Sequence, residues 1–311
     1  MIEWEQKKMK SNVNYDVIII GAGPAGMSAA IYLKRAGVTP LILEAKAPGG
    51  TLNIIHNIEN YPGYTEKDGT TLAFRMYSQI EELGIPFKTE KVLKIDNEDD
   101  SYIVTTEKGE YKSNYLLLAT GKVPRKLNSK NAEIYEGKGI SYCAVCDGAL
   151  YKNKDVAVIG GGNSAMEAVS YMNDIANKIY VINRSEILRA DEKEKEVLKD
   201  KNIEVLLNKK VVEVEGDNTK ITSIILDDNR KINASAIFVC IGQESSSAYY
   251  QNLELDSDNR GIIVDDNMKT SSKNVYAVGD CISKNLYQVV TATSEGAIAA
   301  TNIVKSIRNS N

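Results

Sequence analysis

The chain has 311 residues, of which 43% are hydrophobic and 26% charged, with a formal net charge of −4. That length holds two ordinary domains, each with its own core, in the composition of a soluble globular protein. The charge excludes a large positive field of the kind that holds a nucleic-acid backbone. No apolar run approaches the ~20 residues that span a bilayer, so neither nucleic acid nor a membrane is expected as a partner.

The first fourteen residues are polar and lack the apolar stretch of a secretory signal. Residues 1–14 are expected to form a mobile tail, and the protein to be cytoplasmic. Residues 15–20, YDVIII, read as a buried strand ended by Gly21. The turn Gly21-Ala22-Gly23-Pro24-Ala25-Gly26 follows, then a helix with Met27, Ala30 and Ile31 in its apolar stripe, ended by Gly37. A second strand runs from Leu41 to Leu43 and ends at Glu44. Strand, glycine turn, helix, strand and acid form the dinucleotide-binding fingerprint in its required order. Gly21 makes the tight turn, Gly23 lets the backbone approach a pyrophosphate, and Gly26 lets helix pack on strand. The helix N-terminus offers free N–H groups to phosphates, and Glu44 can accept hydrogen bonds from a ribose.

His56, the one histidine, reads as a structural residue before Asn60. The stretch Ala119-Thr120-Gly121 closes the first lobe as a strand followed by glycine. Four cysteines are present: Cys143, Cys146, Cys240 and Cys281. In a reducing compartment a close pair is catalytic or metal-binding. Zinc needs two further ligands; Cys240, Cys281 and His56 stand at no ligand spacing, so no metal is expected.

A second unit begins at Asp155. Strand 156–159 leads into Gly160-Gly161-Gly162-Asn163-Ser164-Ala165, a helix with Ala165, Val169 and Met172 on one face, and a strand from Lys178 to Ile182. Glu44 lies 18 residues after Gly26; 18 residues after Ala165 comes Asn183, followed by Arg184. The second unit thus has no acid there and offers cations at Arg184 and Arg189. A 2′-phosphate needs cations and is repelled by a carboxylate, so the first unit suits FAD and the second leans to NADP. Farther on, strand 236–241 holds Cys240 as a core residue, and strand 275–278 ends in Gly279-Asp280. A final helix is expected from about Thr293 to Ile307, with Ala297, Ala299 and Ala300 permitting close packing. The second unit therefore reads as inserted into a split first domain.

The block Ser141-Tyr142-Cys143-Ala144-Val145-Cys146-Asp147-Gly148 stands just upstream of the second unit. Taken with both glycine turns, Asn60-Tyr61-Pro62-Gly63, Ala119-Thr120-Gly121, Gly279-Asp280 and Gln288-Val289-Val290-Thr291-Ala292, it resembles the low-molecular-weight, bacterial-type thioredoxin reductases over nearly all of residues 15–307. The resemblance implies an α/β fold of two Rossmann-like domains in three ββα layers, the second inserted into the first. Residues 15–122 and 246–311 would bind FAD and residues 123–245 would bind NAD(P)H and carry the redox pair. It implies a homodimer that reduces thioredoxin or a thioredoxin-like protein: a thioredoxin-disulfide reductase.

The resemblance also assigns roles. Cys146 matches the cysteine nearer the flavin, Cys143 the one that exchanges with thioredoxin, Asp147 the acid/base, and Asp280 the residue that holds the FAD ribityl chain. FAD contacts would come from Gly21, Gly23, Pro24, Ala25, Gly26, Glu44, Gly50, Thr51, Asn60, Ala119, Thr120, Gly121, Gly279, Asp280, Gln288 and Val289. NADPH contacts would come from Gly160, Gly162, Asn163, Ser164, Ala165, Asn183, Arg184 and Arg189. The chemistry agrees: a Cys-x-x-Cys pair on a turn opening a helix gives a short, reducible disulfide, and the helix N-terminus stabilises a thiolate. Three departures stand out. The usual His-Arg-Arg-x-x-x-Arg clamp is Asn183-Arg184-Ser185-Glu186-Ile187-Leu188-Arg189, the usual Gly-Gly-Gln is Gly49-Gly50-Thr51, and the usual Arg-Gln is Tyr287-Gln288. NADPH is the first expectation for the donor, NADH the second and reduced ferredoxin the third; a flavin redox sensor without turnover is the non-enzymatic alternative.

Overall fold

The computed structural model describes residues 14–55, 58–98, 101–245, 250 and 252–310. Residues 1–13 of the expected tail, and His56, lie outside the described residues. In chain order the first stretch holds β1 (Asn14–Ile20), α1 (Pro24–Arg35), β2 (Pro40–Glu44), α2 (Gly69–Glu82), β3 (Phe87–Thr89), β4 (Val92–Glu98), β5 (Ser101–Thr106), β6 (Glu110–Leu118) and β7 (Lys122–Pro124). The middle holds β8 (Ile140–Ser141), α3 (Ala144–Asp147), β9 (Asp155–Ile159), α4 (Asn163–Asn173), β10 (Lys178–Asn183), α5 (Glu192–Lys195) and β11 (Ile203–Leu207). It continues with β12 (Val211–Gly216), β13 (Ile221–Leu226), β14 (Lys231–Asn233), β15 (Ala236–Val239) and β16 (Gln243–Ser245). The chain ends on β17 (Val275–Ala277) and α6 (Val289–Ser310). It forms two compact units: one from the residues up to Val123 and again from Glu244, the other from Pro124–Gln243.

In the split unit β3, β2, β1 and β6 lie side by side in parallel, and β17 extends the row on β6. β6 serves two structures. Its first half pairs antiparallel with β5, while Leu116–Leu118 pair with β17. Alternation along β1 divides the core. Val17 and Ile19 pack with α1 and α6, whereas Ile18 and Ile20 pack with residues of β4 and β5. Both faces of the strand are covered, which is why YDVIII is a continuous apolar run and not an alternating one. The layers are helices, parallel sheet and β-meander.

The second unit repeats the plan. Its parallel sheet runs β11-β10-β9-β15-β8. Val156 and Val158 face α4, and Ala157 and Ile159 face the three-stranded sheet β12-β13-β14. Among the described residues no helix is long and apolar enough to cross a membrane.

The last helix departs from its expected start, beginning at Val289 instead of Thr293. The Ala292 N–H donates to the Gln288 carbonyl at 3.0 Å, and the Gln288 N–H donates to the Thr291 hydroxyl at 3.2 Å, which opens the helix a turn earlier. Val289, Val290 and Thr291 are weak helix formers; Val289 packs on the cluster of Leu52, Ile58 and Leu72, so packing overrides propensity. Farther along, α6 lies tight on α1, and a Cβ at Gly296 would sit 2.2 Å from the Ala25 carbonyl oxygen. Gly296→Ala should therefore destabilise the protein by roughly 1–3 kcal/mol through overpacking, while Ser294→Ala on the exposed side should stay within about 0.5 kcal/mol. Urea unfolding of both variants checks this; equal midpoints would contradict the close helix contact.

Candidate functional site

The first glycine turn begins where β1 and β6 part. Gly21 has φ +108°, and a Cβ there would lie 2.3 Å from the Ala119 carbonyl oxygen. Gly26 packs in turn on the Gly21 carbonyl. Gly23 differs: a Cβ on it would meet nothing within 4 Å. It is the N-cap of α1 and supplies no side-chain cap, and Pro24 follows inside the first turn, so the early N–H groups of α1 face open space. The Gly49 N–H donates to the Ala22 carbonyl at 2.8 Å, which brings Gly50 up to Gly23, with Thr51 exposed beside it. Glu44 closes the edge, accepting the Ala22 N–H at 2.8 Å and the Lys46 N–H at 2.9 Å. Space over Gly23, free helix N–H groups and a carboxylate at the strand end are the shape and donor set that a dinucleotide pyrophosphate and ribose require. The residues present fit FAD.

Other expected residues gather in the same unit. Asn60 donates to the Gln288 side-chain carbonyl at 2.9 Å, joining two positions 228 residues apart; Val289 starts α6 immediately after. Ala119 is buried, Thr120 lies beside the fully buried Cys281, and Gly121 leads into β7. Gly279 has φ +78°, and Asp280 follows half-buried. Sequence reasoning missed what holds this turn. Glu295 on α6 accepts the Gly279 N–H at 2.8 Å and both of its oxygens accept from Lys284 at 2.8 Å. An acid beside Gly296 in an otherwise small-residue helix was the available signal. It also missed Lys122, whose ammonium lies 3.6 Å from the centroid of the Tyr287 ring.

The second glycine turn repeats the first. Gly160 has φ +142°, and a Cβ there would lie 2.2 Å from the Cys240 carbonyl oxygen. A Cβ at Gly161 would strike the Asn183 side chain at 2.8 Å, whereas one at Gly162 would meet nothing within 4 Å. Two of the three glycines thus answer to packing, and Gly162 alone faces open space at the uncapped start of α4. Ala165 is buried at the third-glycine position and Ser164 is exposed. The Arg189 and Ala190 N–H groups donate to the Gly161 carbonyl at 2.6 and 3.0 Å, while Asn163 and Asp191 exchange hydrogen bonds at 2.8 and 2.9 Å. Arg189 is thereby pinned at the turn, and Arg184 leaves the end of β10; both are exposed. Asn183 is buried and its amide donates to the Ser185 and Ile187 carbonyls at 2.9 and 3.2 Å. It shapes the loop between the two arginines from inside. The gap over Gly162, the free N–H groups of α4 and the two cations fit a nicotinamide dinucleotide.

Cys143 and Cys146 form a disulfide, with 5.3 Å between their Cα atoms. The intervening helix is a single turn, Ala144–Asp147. It is pinned to α4: a Cβ at Gly148 would meet Met172 Sδ at 2.6 Å, and Tyr171 donates to the Val145 carbonyl at 3.4 Å. Cys146 is exposed and Cys143 half-buried. The Cys146 N–H points at Cys143 Sγ, 3.1 Å away, a donor that would favour negative charge on that sulfur once the bond opens. Ser141, also missed in the sequence, donates from its hydroxyl to Asp147 Oδ2 at 2.6 Å and accepts the Cys143 N–H at 3.1 Å. One serine therefore links the acid to the backbone of the pair.

The pyridine nucleotide-disulphide oxidoreductase model matches residues 15–296. A thioredoxin reductase of Listeria monocytogenes is 36% identical over 299 residues, covering 94% of each chain. One from Mycoplasma pneumoniae is 38% identical over 302 residues, covering 94% of this chain and 96% of that one. The crystal structure of thioredoxin reductase from Lactococcus lactis, at 35% identity, matches with a TM-score of 0.87 over 95% of this chain and 99% of that chain.

The four cysteines should separate by reactivity. Burial, and then the nearby Glu167 carboxylate, push the Cys240 thiol up to about 12; burial also raises the thiol of Cys281. A thiol reacts as its thiolate, and the fraction present at pH 8 falls as the pKa rises above 8, to roughly one in ten thousand at 12. Iodoacetamide at pH 8 should thus label only Cys143 and Cys146 in the reduced native protein, none in the oxidised one, and all four after unfolding. Native labelling of Cys240 at the rate of Cys146 would contradict this.

Proposed function

The chain belongs to the pyridine nucleotide-disulphide oxidoreductase family and, within it, to the low-molecular-weight thioredoxin reductases, and from that premise we propose that it carries two electrons from NADPH through FAD to the disulfide of thioredoxin or a thioredoxin-like protein. The observation that carries the proposal is the Cys143–Cys146 disulfide, with Asp147 tied to it through Ser141. The split unit, residues 15–122 and 246–311, is assigned to FAD, with Glu44 on the ribose, the N-terminus of α1 on the pyrophosphate and Asp280 on the ribityl chain. Residues 123–245 are assigned to the nicotinamide dinucleotide, and the working form to a homodimer.

Bound FAD supplies a two-electron carrier that takes hydride from a nicotinamide and gives up an electron pair. The chain supplies the rest. Two electrons entering the Cys143–Cys146 bond break it and leave both sulfurs reduced. Asp147 donates a proton to one of them, held in reach by the Ser141 hydroxyl. The other stays a thiolate. Cys143 Sγ, with the Cys146 N–H aimed at it, attacks one sulfur of the partner disulfide; a mixed disulfide forms and the partner's second sulfur leaves and takes a proton from water. Cys146 Sγ then returns its proton to Asp147 and attacks Cys143 Sγ, which closes the Cys143–Cys146 bond again and expels the partner's first sulfur, which takes a proton from water to complete the dithiol. Electrons and protons balance: two of each reach the partner.

NADPH stands first among donors because two exposed cations follow the second glycine unit, Arg184 just after β10 and Arg189 with its N–H on the Gly161 carbonyl, and a 2′-phosphate needs cations. NADH or reduced ferredoxin as donor is favoured by one observation: Asn183 stands where the family clamp has histidine, and its amide is spent inside the loop.

Cys143→Ser should keep flavin reduction by the donor and abolish thioredoxin reduction, and should show a long-wavelength charge-transfer band from a Cys146 thiolate; Cys146→Ser should lack the band. Asp147→Asn should slow turnover by roughly 10²–10⁴-fold. Disulfide reduction by each variant, read beside its flavin spectrum, checks these; Cys143→Ser turning over at the parent rate would refute the assignment. Arg184→Ala should weaken use of NADPH by about ten-fold and of NADH much less. Equal loss with both nucleotides, or flavin bleached by neither, would move the donor to a reduced protein.

A further inference from the structure

The last helix carries a buried acid that neither the glycine turns nor the thiol chemistry uses. Glu295 is 9% exposed. Its Oε2 accepts the Gly279 N–H, and its two oxygens together accept from the Lys284 ammonium, each at 2.8 Å. Lys284, with 11% of its side chain exposed, also lies 3.8 Å from Asp280 Oδ1. A largely buried cation thus stands between two carboxylates, and the nearer one also grips the backbone at the left-handed Gly279. The next residue, Gly296, presses on the Ala25 carbonyl in the first turn of α1. One dipeptide of α6 therefore touches both the first glycine turn and the Gly279-Asp280 turn.

A buried ion pair adds little net stability over an apolar pair of the same volume, but removing one partner leaves the other charge uncompensated. Burial pushes the Glu295 carboxyl above its usual range, against the pull of the adjacent ammonium. Without Glu295, the acid left beside the Lys284 ammonium is Asp280. The lysine would then draw that carboxylate away from any ligand hydroxyl it serves.

We propose that Glu295 is a positioning residue for bound FAD: by neutralising Lys284 and holding the Gly279 N–H, it leaves the Asp280 carboxylate free to accept from the ribityl chain. This rests on the assignment of the split unit to FAD. A structural pair would lose FAD on removal of either partner and would not recover on removal of both. A device that shields Asp280 from a cation recovers once the cation is gone.

The test is the rate at which purified holoprotein releases FAD on dilution, followed by the rise in free-flavin fluorescence. Glu295→Gln should release FAD about ten-fold faster than the parent, the scale of one charge-assisted contact. Glu295→Gln combined with Lys284→Met, which removes both charges of the pair, should stay within about three-fold of the parent. Release from Glu295→Gln at the parent rate, or no recovery in the double variant, overturns the proposal. If Glu295→Gln does not fold, the double variant decides alone, because a ten-fold faster release from it contradicts the shielding role. A parent protein that holds no flavin would instead sink the FAD assignment itself, which separates the two failures.

Discussion

Each half of the molecule depends on the same close contact between a glycine and a carbonyl. Where β1 ends, Gly21 stands so near the Ala119 carbonyl that a methyl group would sit 2.3 Å from its oxygen; where β9 ends, Gly160 stands in the same way on Cys240, at 2.2 Å. In both cases the two strands are parallel neighbours, and the chain leaves the glycine for the other side of its strand, from β1 to β2 and from β9 to β10. Neighbouring strands that diverge at their carboxyl ends open a crevice, and a helix N-terminus points into it. The contact sets how tightly the turn is drawn in. It thereby sets where Gly23 and Gly162 sit, the glycine of each turn that stands over open space.

The thiol chemistry hangs from the second crevice. The one-turn α3 is too short to be held by its own hydrogen bonds. It is held by Gly148 pressed on Tyr171 and Met172 of α4, the helix that begins at Gly162. The redox pair and the second glycine turn therefore share one rigid support. Ser141, at the end of β8, adds the link from that sheet to Asp147. Position, not an unusual residue, suits Asp147 to the proposed role of proton donor to the pair.

Much of this was legible in the chain. Both glycine turns, the acid at Glu44, the split of the first domain and the cysteine pair are local patterns, each a short run in fixed order. The parts that were not legible depend on contacts across the fold. Glu295 stands out as an acid beside Gly296, but nothing near it names its partners: Gly279 and Lys284 lie 16 and 11 residues back and meet it only once the chain turns at Gly279 and runs on into α6. Ser141 reads as an ordinary strand residue until the turn at Cys143 folds Asp147 back on it. Gly160 and Gly162 read alike as nucleotide contacts; the structure packs Gly160 on Cys240, packs Gly161 on Asn183, and leaves Gly162 over open space. The start of α6 was misplaced because β-branched residues at 289–291 argue locally against helix, and the apolar cluster around Leu52 outweighs them.

The central claim is that electrons leave this protein through the sulfur of Cys143. Trapping the exchange intermediate tests it most directly. Cys146→Ser removes the thiol that would resolve a mixed disulfide, so its reduced form should hold thioredoxin in a covalent complex after exchange with a thioredoxin whose own resolving cysteine is replaced and whose remaining thiol is activated. Peptide mapping of that complex should find the link at Cys143. A link at Cys240 or Cys281, or no complex while the parent still reduces thioredoxin, would contradict the account.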